Sequence, residues 1–343
     1  MSYSIEKTNT SILVKFPFPK NITEGDKFLF QNTLTSILQK PKTVTIHNAS
    51  VTQEGIVYKG LKCFKQFLVW KNHKKTYNFS YLLRSIFKKK INLDTNKKYI
   101  LCFDYWTHGY FHWMCDFLPR LYTIQEQLQS SIVLIPSSYT SDFFNATLKA
   151  FNVKNSYRIP SNHTAQCNHL IIPERVSNSG EHHPEIIANI RKKLLEFYKN
   201  ELKKTVYADK IYVSRNKSKY RKVINEADVI HLLSNHGFQT IYFEDYTFSE
   251  QIAIAHHAKN MVSLHGANMT NLMFMQPNTN VLEFRKNDID HVNCYFSLAN
   301  SLDINYYYQN CNYVINNQTG GNAFDVTVDI KKLEENILLM LKN

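Results

Sequence analysis

The sequence predicts an α/β protein built from two Rossmann-like units, each an open parallel sheet covered by helices, with a β-rich segment in front. Three observations lead there. Over the last 140 residues, short β-branched and aromatic runs alternate at close spacing with stretches of helical character. Three more apolar runs with helical segments between them fall between about 95 and 180. Hydrophobic residues make up 43% of the 343, with only 9 Gly and 9 Pro, so the chain buries a sizeable core and is neither disordered nor collagen-like.

Taken in order, the first 90 residues are the least regular, and Thr43-Val44-Thr45-Ile46-His47 suggests an antiparallel start. Lys98 to Phe103, Ile132 to Ile135 and His169 to Ile172 read as buried strands. After Pro184, Ile186, Ile187, Ile190, Leu194, Phe197 and Tyr198 form one stripe of a helix ending in Lys203-Lys204, which would bridge the two halves. Lys210 to Ser214 is the next strand, followed by a helix that Asn225 can cap, with Ile230, Leu232 and Leu233 inward and Gly237 past its end. Thr240 to Phe243 is a strand, and Thr247 with Glu250 forms a capping box opening the helix Gln251 to Ala258. Met261 to Leu264 is a strand, Asn268 to Met275 a helix, and Asn280 to Phe284 a strand. A helix around His291 to Asn300, a strand from Ile304 to Tyr307 and a closing helix from about Asp329 to Leu341 complete the chain. The expected divisions are 1–95, 96–204 and 205–343.

The net charge is +13, and all of that excess lies in the first hundred residues, where 18 Lys and Arg face 5 Asp and Glu. The runs Lys71-Asn72-His73-Lys74-Lys75 and Lys88-Lys89-Lys90 belong to it. Such a face is either a solvated lysine surface or a docking surface for an anionic partner. Nucleic acid is disfavoured, because Phe64, Phe67 and Trp70 alternate like strand-core residues and no RNA- or DNA-binding motif occurs. The six cysteines are scattered without a C-x-x-C pair, so buried reduced thiols are expected. No window approaches the ~20 apolar residues of a membrane helix, and the first residues lack a signal peptide's apolar centre. A cytoplasmic location is expected on that basis.

Three constellations could carry chemistry. His108, His112 and Asp116 are spaced four apart, so on a helix ending near Leu118, before Pro119, they form one polar line directly after a strand end. A His beside a carboxylate can serve as a general base; a metal pair or a structural line are the other readings. The second is Ser263 to Asn271, where Gly266 and Ala267 let a ligand approach the backbone and the new helix offers free N–H groups to an anion such as a diphosphate. The third follows the strand Lys210 to Ser214 and carries Arg215, Lys219 and Arg221 on a loop, residues suited to phosphate oxygens.

The ordered set Tyr110-Phe111-His112-Trp113-Met114-x-Asp116-x-Leu118-Pro119-Arg120-Leu121, Ser214-Arg215 with Arg221 and Asn225-Glu226, Gly237-Phe238, Phe248 to Gln251, His265-Gly266-Ala267-x-x-Thr270-Asn271-Leu272-x-Phe274-Met275 and Val281-Leu282-Glu283-Phe284 resembles glycosyltransferase family 61 over about residues 100–285. The resemblance implies the GT-B type, two facing Rossmann-like domains, with a nucleotide-sugar donor in the C-terminal one, inversion at the anomeric carbon and no metal or other cofactor. Residues up to 204 would then form the acceptor domain. Ser214, Arg215, Lys219, Arg221, Asn225 and the turn residues His265, Gly266, Ala267, Asn268 and Asn271 would hold the donor diphosphate and sugar, with Glu244 and Glu283 toward ribose and base. Asp116, oriented or relayed by His112, would be the base, with His108 a weaker match. The implied partners are a nucleotide-sugar donor, UDP-linked in the relatives, and a glycan or lipid-linked glycan acceptor in capsule or lipopolysaccharide synthesis. The basic first hundred residues would then dock on the inner face of the plasma membrane or on an acidic acceptor. The triplet Asp288-Ile289-Asp290 has the spacing of the metal motif of the other glycosyltransferase fold, but its place after the Glu283 strand marks it as chance. The alternatives are a nucleic-acid- or glycan-binding module without catalysis, and a metal hydrolase using His108, His112 and Asp116.

Overall fold

The structure is a computed structural model that describes residues 4–7, 11–68, 79–203, 207–315 and 323–342. Trp70, the run Lys71 to Lys75 and Lys204 lie outside the described residues. The chain forms two compact units, one of residues 1–38 with 180–343 and one of residues 39–179.

In the first unit, six strands lie in the spatial order Gln239–Ile241, Lys210–Val213, Asn260–Leu264, Asn280–Lys286, Asn305–Ile315 and Phe324–Thr327. The first five pair in parallel; the sixth, which the pattern did not predict, folds back antiparallel on the fifth. The strands read as continuous apolar runs because both faces are covered. On one face Tyr212, Val262, Leu282 and Tyr307 pack with Leu233 of the helix Glu226–Asn235 and with Leu333, Ile337 and Met340 of the helix Ile330–Lys342. The order reverses at Lys210–Val213, whose neighbours are the next two strands in sequence, one on each side. At such a switch point the following loops part and leave a crevice at the strand ends, where open α/β sheets bind ligands.

The divisions fall elsewhere than at 95/96 and 204/205, for reasons of packing. Phe30 lies against the rings of Phe296 and Tyr308, and Lys20 N–H donates to the Tyr306 carbonyl at 2.9 Å, which ties residues 11–38 to the C-terminal sheet. The helix Pro184–Phe197 buries Ile186, Ile187, Ile190 and Leu194 against elements of the same unit, and Arg191 donates to the Met275 carbonyl at 3.2 Å; only Phe197 of the stripe is exposed.

In the second unit, the strands run Ser156–Ile159, Ser131–Pro136, Lys98–Leu101, His163–Pro173, Thr43–Thr52, Val57–Lys59 and Lys62–Cys63, with Lys89–Asn92 also paired to His163–Pro173. The first four are parallel, and Thr43–Thr52 joins antiparallel in a register running from Thr164↔Thr52 to Pro173↔Thr43. That long ladder makes the β-rich start part of this sheet rather than a segment of its own. Phe64 and Phe67 are not strand-core residues; Phe64 precedes and Phe67 ends a single 3-10 turn, Lys65–Phe67, and both are partly exposed. The cysteines are free thiols, all but Cys63 buried. Among the described residues no helix is long and apolar enough to cross a membrane.

Candidate functional site

In the second unit the polar line is shorter than its spacing suggests. His108 lies in the turn before the helix, exposed, with Nδ1 against the Tyr105 carbonyl at 2.9 Å. The helix opens at Tyr110, widens into a π turn over Trp113–Phe117 and runs through Pro119 to Thr123 instead of ending at Leu118. Pro119 has no N–H to give the preceding turn, and a widened turn directly before it absorbs the missing bond without ending the helix.

What remains of the line is a close pair. His112 Nδ1 and Asp116 Oδ2 are 2.7 Å apart, Ser179 Oγ donates to the same oxygen at 2.8 Å, and Arg175 Nη1 lies 3.3 Å from Oδ1. Arg175 also pairs through Nη2 with Asp104, which in turn accepts from Trp106 N–H at 2.9 Å. Burial alone would raise the Asp116 pKa, but the His112 bond, the Arg175 charge and Ser179 outweigh it and hold the carboxyl below its usual range. Both Asp116 oxygens are thus occupied and the group stays ionised, so it is a poor proton acceptor. The His112 side chain is 30% exposed, and with Nδ1 turned to Asp116 its other nitrogen is the one left to take a proton. This is the orienting arrangement of a carboxylate behind an imidazole base. Sequence pointed to His112 and Asp116 but not to Arg175, Ser179 or Asp104, which lie up to 71 residues from their partners and share no spacing rule.

In the first unit the loops after Lys210–Val213 and Asn260–Leu264 meet at the switch point. Arg215 is buried at 8% exposure and, among the described residues, its hydrogen bonds go to neutral oxygens: it donates to Ser218 Oγ and the Tyr220 carbonyl at 3.0 Å each and to the Arg221 carbonyl at 3.3 Å. Burial and the neighbouring Arg221 press its pKa below the ordinary guanidinium value, against a smaller opposing pull from Tyr295 and the Glu244 carboxylate. Gly266 is required here by closeness rather than by backbone angle: a Cβ on it would land on the Arg215 guanidinium. Arg221 adopts a φ of +63° and sets its guanidinium 5.3 Å from the Phe324 ring centre. The turn after Gly266 is a 3-10 helix, Ala267–Phe274, rather than an α-helix.

Other expected donor contacts have different duties. Ser214 is fully buried; its Oγ donates to Glu226 Oε1 at 2.8 Å and accepts from Asn216 N–H at 3.1 Å, so it shapes the loop. Asn225 does not cap its helix, because its side chain bonds the Val328 backbone at both N–H and carbonyl. Asn271 is buried with Nδ2 3.3 Å from Gln251 Oε1. Lys219 and Ala267 are exposed, and Glu244 is exposed in a 3-10 turn, Phe243–Asp245, rather than on a strand end, with Asn268 Nδ2 at 3.5 Å. Glu283 is fully buried with both oxygens bonded, to His265, His291 and Tyr306, and cannot reach a ribose. His265 Nδ1, the Glu283 carboxylate and His291 Nε2 are near enough together for a cation, yet the carboxylate already accepts three hydrogen bonds, and the set is a closed polar network. Asp288 likewise spends its oxygens on Lys286, Tyr313 and Asp290 N–H, which makes the D-x-D triplet a loop staple.

An EGF domain-specific O-linked N-acetylglucosamine transferase of Drosophila melanogaster is 32% identical over 98 residues, 28% of this chain and 18% of the relative. The Gallus gallus protein of the same name is 30% identical over 92 residues, 25% of this chain and 17% of its own. The aligned stretch thus spans less than a fifth of either relative. The Glycosyltransferase 61 family model matches residues 110–282, half of the chain, taking in His112, Asp116, Arg215, Arg221 and Gly266. The chain therefore belongs to glycosyltransferase family 61, a family of sugar-transferring enzymes.

Proposed function

We propose that this protein transfers a sugar, with inversion and without a metal, from a UDP-linked or similar nucleotide sugar to a hydroxyl of a glycan acceptor, on a GT-B type scaffold. The observation that carries the reading is the buried Arg215, hydrogen-bonded among the described residues to neutral oxygens and pressed against Gly266 at the switch point of a parallel sheet. A donor diphosphate supplies the missing negative charge. As the anomeric bond breaks, charge grows on the leaving phosphate, and Arg215, Arg221 and the N–H groups after Gly266 stabilise it. His112, oriented by Asp116, takes the proton from the attacking hydroxyl. Isothermal titration against a panel of nucleotide sugars tests the donor half: binding to at least one, lost or weakened in Arg215→Ala, is the expected result, and binding to none sinks the proposal.

The acceptor admits two readings. Capsule or lipopolysaccharide glycans follow from the family's prokaryotic-type members, whereas the names of the aligned relatives favour a protein hydroxyl. An acceptor panel holding both lipid-linked glycans and folded EGF domains separates them by product mass. For location we propose the cytoplasmic face of the plasma membrane, where exposed Lys59, Lys62, Lys65, Lys89 and Lys90 of the second unit meet an anionic surface. Absence of binding to anionic liposomes and acidic glycans at low salt returns that face to a solubilising role.

A further inference from the structure

Glu283 is a carboxylate in the interior of the donor unit that neither diphosphate binding nor acceptor activation uses. It is fully buried, yet it accepts from His265 Nδ1 at 2.5 Å and His291 Nε2 at 3.1 Å on one oxygen and from the Tyr306 hydroxyl at 2.6 Å on the other. Removing a carboxylate from water costs several kcal/mol, so three donors on one buried acid form a device for holding something in place. What it holds is the His265 ring. With Nδ1–H committed to Glu283, the one nitrogen left for a ligand is Nε2, and the ring lines a cavity of about 130 Å³ together with Arg221, Lys286 and Tyr313. Next to it in sequence, Gly266 abuts the Arg215 guanidinium.

The charges around this ring are set against a proton as long as the site holds no anion. From the loop after Lys210–Val213 come Arg215 and Arg221, both positive. The strand Asn280–Lys286 contributes Glu283, Arg285 and Lys286; Arg285 is fully buried with Nη1 on Asn293 at 2.9 Å and its guanidinium 4.7 Å from the Phe30 ring centre. The following segment adds His291, with its ring 4.4 Å from that of His265, and Tyr295 at 5.1 Å. Asp288 and Asp290 line the cavity too, Asp288 tied to Lys286 at 3.0 Å, and Tyr306 comes from the neighbouring strand. Burial and the two arginines hold the His265 pKa below that of a free imidazole despite Glu283, and burial with the adjacent His265 takes His291 down to about 3. An incoming diphosphate brings negative charge to the arginines and the ring together and reverses that balance.

We propose that Glu283 is a positioning residue that presents His265 Nε2 to the donor diphosphate, and that nucleotide-sugar binding is coupled to uptake of one proton by this imidazole. The inference rests on the donor reading above. The proton comes from solvent and bonds to the Nε2 lone pair; no bond of the donor breaks. The resulting imidazolium sits between Glu283 and the diphosphate, a third cation beside Arg215 and Arg221 before the leaving group departs. Proton uptake makes affinity fall with rising pH, by up to about tenfold per pH unit where uptake is complete.

The test is isothermal titration with UDP-N-acetylglucosamine and UDP-glucose in buffers of different ionisation enthalpy from pH 6 to 9, with EDTA present. The diphosphate of a nucleotide sugar is a diester with no protonation step in that range, and the uracil N3–H ionises only toward its upper end, so net uptake between pH 6 and 8 belongs to the protein. Uptake by the wild type, fading toward pH 9, and its loss in both His265→Gln and Glu283→Gln is the expected result. Donor binding with no proton uptake by the wild type overturns this inference alone, as does uptake that persists in His265→Gln. Binding of neither nucleotide sugar overturns the donor reading, and the inference with it. Should Glu283→Gln fail to fold, the wild-type and His265→Gln titrations decide the matter.

Discussion

Asp116→Asn separates an orienting carboxylate from an inert one. The amide keeps the size of the side chain and can still accept from Ser179, but it removes the negative charge 2.7 Å from His112 Nδ1. When His112 takes a proton, its charge lies roughly 4 Å from the carboxylate, and at an effective dielectric of about 20 that attraction is worth ~4 kcal/mol. Loss of it slows the step by about a thousandfold. Arg175 adds to the effect, because without Asp116 its charge is matched by Asp104 alone and it repels the new imidazolium. The assay is release of nucleoside diphosphate from the bound sugar donor, with water or acceptor as nucleophile, at a temperature where the variant is folded by circular dichroism. Donor affinity should stay within about twofold of wild type, since the donor residues proposed here belong to the other unit. Turnover within threefold of wild type at saturating substrate would refute the base assignment. So would full additivity with His112→Ala, because two groups acting as one unit do not add.

Other consequences follow from the same geometry. Arg215→Met should weaken nucleotide-sugar binding by about 10- to 100-fold, the worth of one or two charge-assisted hydrogen bonds, as read by isothermal titration. Gly266→Ala should weaken it comparably with little loss of fold, because the new Cβ displaces the guanidinium, and the double variant should be no worse than Arg215→Met alone. Stability measured by thermal melts should fall from pH 7 toward pH 4. His291 binds its proton near 6.5 when unfolded but only at about 3 when folded, so the unfolded state takes up more protons in that window, at about 1.4 kcal/mol per pH unit. The buried Glu283 and Asp116, both depressed in the folded state, give stability that is present above the unfolded carboxylate range and is lost as the pH falls through their folded values. His291→Asn should flatten the slope between pH 6.5 and 4. Ser214→Ala should cost about 1 kcal/mol, since Glu226 keeps its bond from Tyr212 while the Asn216 N–H loses its acceptor.

Much of the first unit was legible because its signals are local. The capping box at Thr247 and Glu250 forms as read, both of its bonds present, since a cap is decided by residues three apart. The strands after Lys210, Asn260 and Asn280 announce themselves as apolar runs because both sheet faces are covered. His112 meets Asp116 because four residues is close to one helical turn, while His108 misses because the helix begins only at Tyr110. The widened turn at Trp113 has no signature beyond the proline that follows it.

By itself, then, the sequence determined the α/β class, the family and the short-range pairs: each rests on residue type and on spacings within a turn or two. Only the tertiary structure decided which unit each end of the chain joins, since the ladder of Thr43–Thr52 on His163–Pro173 and the seat of Phe30 on Tyr308 are contacts over a hundred residues or more. It also decided which polar residues remain available to a ligand. Arg215 is left with neutral partners, whereas Glu283, Ser214 and Asn225 are spent on neighbours brought in by the sheet. A buried polar atom must be paired, and the partner that pairs it is chosen by packing rather than by its place in the sequence.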